Sequence, residues 1–246
     1  MDFDVGEDHF VSFCDSFCYL GTTITQDLDD THEIERRIRL GRASFQKMIF
    51  VFKNRRIKAK LHAQLYLQTT VSVVLSGCET WALKDTHKKL LSRFHHDCAR
   101  SIYGITRWHH QHKGIKMETV LNDLSLNRLE QILNARTLHF LECIASLEDD
   151  PLLRRIACSQ AEKNGKLGQG SKPRTTQQTW ARTLQESGLI PEDDNGAQMK
   201  VWAEKFRNRE AGPIISRNLK IQYEQKSKKR TQTSRVCPPP DYIRTT

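Results

Sequence analysis

The sequence is poor in the features that mark several protein classes. Among 246 residues there are only 12 glycines and seven prolines, which excludes a collagen-like chain. The seven cysteines are odd in number and scattered: Cys14, Cys18, Cys78, Cys98, Cys143, Cys158 and Cys237. That is no disulfide framework, and a reducing compartment fits better. The start, Met1-Asp2-Phe3-Asp4, is acidic where a signal peptide would be basic. One uncharged run, Leu61 to Cys78, approaches spanning length, but it carries His62, Gln64, Gln68, Thr69, Thr70, Ser72 and Ser76. Those groups are costly in lipid. The run therefore predicts a buried helix, no membrane partner, and an intracellular protein of the cytoplasm or nucleus. No P-loop, Gly-x-Ser-x-Gly or His-Glu-x-x-His is present.

Charge is plentiful and unevenly placed. The hydrophobic fraction is 37%, low but able to supply a core, and the net charge is +10. Such an excess points to a polyanionic partner, nucleic acid first. Residues 1–35 hold ten acids and no Lys or Arg. Residues 36–60 hold ten bases and no acid: Arg36, Arg37, Arg39, Arg42, Lys47, Lys53, Arg55, Arg56, Lys58 and Lys60. A solvated helix face usually mixes signs. A stretch of one sign repels itself, so it calls for an outside anion or the acidic leader. A second basic run, Lys220 to Arg235, has no apolar period and precedes Pro238-Pro239-Pro240. Its composition predicts a disordered tail.

The apolar pattern predicts a mainly α-helical chain behind a short β element. Phe10, Val11, Phe13, Phe17, Tyr19 and Ile24 suit strands, with a turn at Asp15-Ser16. Thr31 is placed as the N-cap of a helix carrying Ile34, Ile38, Gly41, Phe45, Met48, Ile49 and Phe52 at helical spacing. A second helix is expected over 57–76, a third from Asp85 to Tyr103 stopped by Gly104, and a fourth from Ile115 to Asp123. Ser125 is placed as the cap of a fifth helix through Leu147. Short helices are expected near 176–187 and 197–209, beyond a Gly-containing linker.

Chemical constellations are weak. Cys14-x3-Cys18 with His95, His96, Cys98, His109, His110 and His112 lacks the spacing of a zinc finger or knuckle. Core or surface roles are the expectation, and no metal or cofactor is assigned. The acid pairs Asp29-Asp30, Asp149-Asp150 and Asp193-Asp194 fall at predicted helix edges and loops, where Asp caps and turns. Trp81 is expected as a packing anchor with a hydrogen-bonded indole. Trp108, between Arg107 and His109, is the better stacking candidate.

Several motifs in order resemble one family. Phe17-Cys18-Tyr19-Leu20-Gly21-Thr22-Thr23-Ile24, then Ile34-Glu35-Arg36-Arg37-Ile38, Gly77-Cys78-Glu79-Thr80-Trp81 and Cys98-Ala99-Arg100-Ser101-Ile102-Tyr103-Gly104-Ile105 are similar to segments of non-LTR (LINE-type) retrotransposon reverse transcriptases. Lys172-Pro173-Arg174 with Trp180 resembles a further segment, and Gly-Cys-Glu-Thr-Trp is the most specific. The resemblance implies that the Tyr-Leu-Gly strand lies at the primer grip and that the helices after it form the thumb. The catalytic palm would precede Phe17, where 16 residues stand. Cys18 replaces the family's usual Lys, and Leu138-His139-Phe140 does not match its Gly-His.

The resulting expectation is a mainly α, thumb-like bundle with a short N-terminal β-hairpin and a disordered basic tail. Its parts are a β element (1–25), a helical domain (26–160), a linker (161–175), a small helical region (176–210) and the tail (211–246). It would bind a template–primer duplex of RNA or DNA without reading sequence, and would not polymerise by itself. The expected contacts are Tyr19, Leu20, Gly21, Arg36, Arg37, Arg42, Lys47, Lys53, Arg55, Arg56, Lys58 and Lys60, with no catalytic residue. An unpaired strand edge predicts self-association. The alternative is a non-functional chain or a repurposed helical protein-interaction module.

Overall fold

The computed structural model describes residues 2–4, 10–12, 14–27, 29–54, 56–106, 108, 114–146, 176–189, 202, 205 and 210–219. The fold is mainly helical behind short antiparallel pairs of strands. Strand β1 (Asp2–Asp4) pairs with β2 (Phe10–Ser12), and β3 (Ser16–Tyr19) pairs with β4 (Thr22–Thr25). The turn expected at Asp15-Ser16 is a bend between these pairs. The tight hairpin turn lies instead at Leu20-Gly21, where φ is +47° and +78°. Positive φ at both central residues gives the twist that two-residue hairpins favour, and Gly21 takes it without steric cost.

Helix α1 (Thr31–Lys47) buries Ile34, Arg37, Ile38, Gly41 and Phe45 on one stripe. Thr31 is its first residue rather than its cap; Asp30 holds the cap position, and its carboxylate accepts the Ala82 N–H at 2.6 Å. The helix does not run on to Phe52. It breaks at Met48 and resumes as α2 (Ile49–Lys53). In an unbroken helix, residues seven apart are separated by roughly 10 Å along the axis. Phe45 and Phe52 stack with centroids 4.9 Å apart, and the bend brings them together.

The apolar run is helical but not uniformly α. It comprises α3 (Ala59–Tyr66), a π-helical stretch (Leu67–Val71) and the short α4 (Ser72–Val74). The Ser44 hydroxyl on α1 donates to the Thr69 carbonyl inside the π stretch at 2.8 Å. Gly41 lets α1 cross here. A Cβ at that position would lie 2.2 Å from Val74 Cγ2 and 3.2 Å from Phe94 Cζ.

Helix α5 (Asp85–Tyr103) has the expected bounds. Gly104 ends it at φ +87°, with its N–H on the Arg100 carbonyl at 2.8 Å. Helix α6 (Met117–Asp123) and α7 (Leu129–Ser146) follow. Ser125 caps nothing: it sits in the turn before α7 at φ +55°. Among the described residues, no helix is long and apolar enough to cross a membrane.

The main core gathers α1 to α6 and the start of α7 around Phe52, Tyr66, Leu75, Trp81 and Leu91. It holds a satisfied polar chain. Tyr66 is fully buried, and its hydroxyl lies 3.0 Å from His95 Nδ1. His95 Nε2 lies 3.0 Å from the Asn127 carbonyl, which can only accept. The proton therefore sits on Nε2, and Tyr66 donates to Nδ1. Burial lowers the His95 pKa to about 4 and raises the neighbouring Cys98 thiol to about 12. Trp81 is 1% exposed, but its Nε1 has no partner, against the expectation of a bonded indole.

A second cluster joins Leu138, Leu141 and Ala145 of α7 to Leu184 of α8 (Thr176–Glu186), Trp202, Ala211 and Ile215. Leu184 of α8 and Ala211 and Ile215 thus share a buried cluster with α7. Residues 211–219, expected as disordered tail, form a helix, α9, because Ala211 and Ile215 bury one face of it in this cluster. The expected linker and the rest of the tail lie outside the described residues.

Two predictions come from the core. Gly41→Ala should destabilise the protein by about 1–3 kcal/mol through overpacking against Val74, measured as a lower urea midpoint; an unchanged midpoint would refute the close crossing. The second concerns acid. His95 stays neutral when folded but protonates when unfolded below its ordinary value near 6.5, so protons favour the unfolded chain. Stability should be full above about pH 6.5 and fall toward pH 4 by about 3 kcal/mol from this group. In His95→Gln, which keeps a donor and an acceptor, that part of the pH slope should vanish; an unaltered slope would contradict it.

Candidate nucleic-acid interface

The basic stretch divides into two groups once folded. Glu33 is 1% exposed. Its carboxylate accepts from Arg36 Nε at 2.8 Å, Arg37 Nε at 2.6 Å and the Thr23 N–H at 3.0 Å. Both guanidinium groups also donate to the Gly21 carbonyl, Arg37 at 2.7 Å. Burial by itself would raise the Glu33 carboxyl; the bonds from Arg36, Thr23 and Arg37 outweigh it and hold the group below its usual range. Arg37 is 8% exposed and Arg36 half-buried. Arg36 and Arg37, expected as nucleic-acid contacts, are thus both engaged by Glu33 and Gly21, Arg37 buried and the Arg36 side chain still 30% exposed. The two arginines latch the hairpin to α1.

The second group faces solvent. Arg39, Arg42, Lys47, Lys53, Arg56, Lys58 and Lys60 are all exposed. None forms an ion pair with a described residue, whereas Lys84, Lys88, Arg100, Arg128, Arg136 and Arg182 all do. No acid occurs between positions 36 and 60 to neutralise them. Arg55 lies outside the described residues. Five of the seven lie on helices α1 to α3, with Arg56 and Lys58 in the connection between α2 and α3; cations so presented suit phosphate contacts, which position a nucleic acid without reading it.

The hairpin carries the remaining expected contacts. Tyr19 and Leu20 are 59% and 87% exposed. Phe17 and Tyr19 stack at 6.5 Å on the same strand face as Ile24, which is 45% exposed. Thr23 and Thr25 on the opposite face are half-buried. The apolar side of this hairpin thus looks outward, the reverse of a strand pair that simply covers a core.

One surface escaped the sequence reading. Lys89, Ser92, Arg93, His96 and Arg100 line an open groove of about 370 Å³ along α5. Their spacing of i, i+3, i+4, i+7 and i+11 is the polar counterpart of the stripe that buries Leu91, Phe94 and Cys98. The polar face of that helix was the available signal. The groove is partly neutralised: Asp97 pairs with Arg100, and Ser92 donates to Glu130.

The other sequence candidates have structural roles. Gly77 to Leu83 forms a hub. Trp180 Nε1 donates to the Glu79 carbonyl at 2.8 Å, Thr176 to the Thr80 carbonyl at 2.8 Å, and the Leu83 N–H to Thr179 at 3.1 Å. Arg136 faces the Glu79 carboxylate at 3.8 Å. Asp29 pairs with Lys84 at 2.9 Å, which with the Thr31 bonds holds its carboxyl low. Cys14 and Cys18 are exposed while Cys98 and His95 are buried. Among the described residues, no three His, Cys, Asp or Glu side chains form a group able to hold a metal ion. Trp108 is 54% exposed. His109, His110, His112, Lys172, Pro173 and Arg174, and the pairs at 149–150 and 193–194, lie outside the described residues.

Comparison with family models, with curated proteins and with solved structures found no match.

Leu20 is an exposed apolar residue in left-handed backbone, which costs an L-residue roughly 1–2 kcal/mol. Leu20→Asn should stabilise the fold by about 1 kcal/mol, read as a Tm a few degrees higher. A fall in Tm would show that the leucine packs where the structure leaves it exposed.

Proposed function

We propose that this chain binds nucleic acid through its phosphates, without sequence preference, on the exposed face of α1 to α3. One observation carries the reading: Arg39, Arg42, Lys47, Lys53, Arg56, Lys58 and Lys60 are exposed and form no ion pair with a described residue, in a stretch free of acids. A run of exposed cations without intervening acids raises the energy of the folded protein through self-repulsion. A polyanion relieves that repulsion and gains entropy from released counterions. In this reading the chain is thumb-like material of a LINE-type reverse transcriptase, a binding module with no polymerase chemistry of its own. Support for that origin is the ordered set of motifs, above all Gly77-Cys78-Glu79-Thr80-Trp81.

A second reading has its own observation. The outward face of Phe17, Tyr19 and Ile24, beside the exposed acids Asp15 and Asp27, suits a protein surface better than a polyanion. On that reading the hairpin is a protein-docking element, and Tyr19 and Leu20 leave the nucleic-acid interface.

Titration of duplex at two salt concentrations tests the main proposal. Replacing Arg39, Arg42, Lys47, Lys53 and Arg56 by Gln should weaken binding of all sequences alike. It should also lower the slope of log affinity against log salt by up to about one unit per lost contact. Arg37→Gln should instead lower stability, because it leaves Glu33 short of a partner. Full affinity and slope in the five-fold variant would refute the assigned surface.

A further inference from the structure

We propose that Phe50 is a stacking plate for an unpaired nucleobase, with Lys47 and Lys53 holding the phosphates on either side of it. The inference rests on the nucleic-acid reading above and narrows it, from any duplex to strands or junctions that offer an open base face.

Phe50 is 72% exposed, more than any other aromatic side chain described. It is held there by its neighbours. Phe52, two positions on, is fully buried and stacks on Phe45 at 4.9 Å. The Val51 carbonyl is bonded to His62 Nε2 at 2.9 Å. Helix α2 cannot roll to bury the Phe50 ring without withdrawing Phe52 from the core and breaking that bond. The ring is thus preorganised in solvent, and a ligand that stacks on it meets no ordering cost from the helix.

The surroundings select the ligand. Lys47 lies three residues before the ring and Lys53 three after; both are exposed and neither pairs with a described acid. The nearest acids in sequence are Glu35 and Glu79. Aromatic rings set among cations are the recurring device of single-strand binding, because every base has a π-face and every nucleotide a phosphate. In a continuous duplex each base face is covered by the next pair, so the ring has nothing to stack on. An anionic membrane would also meet the charge, but insertion needs an apolar face. The residues flanking Phe50 by three and four positions are Gln46, Lys47, Lys53 and Asn54.

The test uses the full chain, a short labelled single strand, and a covalently closed duplex without ends. Phe50→Ala should weaken single-strand binding roughly tenfold and leave closed-duplex binding and the salt slope unchanged, since no charge is lost. Phe50→Tyr should retain affinity, whereas Phe50→Leu, apolar but unable to stack, should lose it as Ala does. The unfolding midpoints should match wild type, because the ring packs on little. Equal loss on both nucleic acids, or no loss on the single strand, overturns the stacking plate while leaving the phosphate interface standing. Phe50-dependent capture by anionic vesicles with single-strand binding indifferent to Phe50 also overturns it. A wild-type chain that binds neither nucleic acid refutes the underlying reading and this inference with it.

Discussion

A buried carboxylate organises the N-terminal part of this molecule. A charge taken out of water must be paired and hydrogen-bonded or it neutralises. Glu33 meets that demand with Arg36, Arg37 and the Thr23 N–H, and the same arginines reach the Gly21 carbonyl. Three consequences follow from one site. The β3–β4 hairpin is fastened to the first turns of α1. Two of the bases in the stretch 36–60 are engaged by protein partners, Arg37 out of solvent and Arg36 only in part. The bases that are fully exposed begin at Arg39, further along the helix.

The rest of the fold is tied at the Gly77–Leu83 segment, where backbone groups left unpaired by irregular chain find partners from distant elements. Asp30 serves the Ala82 N–H, Thr179 the Leu83 N–H, and Trp180 the Glu79 carbonyl. Buried backbone polar groups must be satisfied, so this stretch is a joint between α1, α7 and α8. That accounts physically for its distinctive composition. Cys78 and Trp81 fill the core, Glu79 meets Arg136, and the left-handed Gly77 at φ +76° allows the chain to turn there. Its hydrogen bonds and packing tie these elements together.

Much of the helical layout was legible from periodicity. The α5 bounds and the stop at Gly104 follow from an apolar stripe and an αL glycine, both local. The buried stripe Ile34, Ile38, Gly41 and Phe45 was equally readable. The failures share a cause. The break at Met48 accompanies a ring stack between Phe45 and Phe52, and the π stretch lies where the chain meets α1; neither segment contains a Gly or Pro of its own as a marker. Ser125 and Thr31 suit caps by type, but capping is decided by where the neighbouring helix places the chain. Residues 211–219 lack a strong pattern of their own and become helical against α7.

For the candidate interface, the sequence by itself determined the sign and the density of charge: ten bases without an acid between positions 36 and 60 cannot neutralise one another locally. It could not say which of those bases face solvent. Helical spacing put Ile34, Ile38, Gly41 and Phe45 on one face and Lys47 off it, because that depends only on the angle per residue. The fate of Arg36 and Arg37 depended on a carboxylate being carried into the interior and on a hairpin tip arriving beside it. The exposure of Phe50 depended on Phe52 being claimed by the core. Those are decisions between elements distant in the chain, made by burial and pairing, and only the tertiary structure contains them.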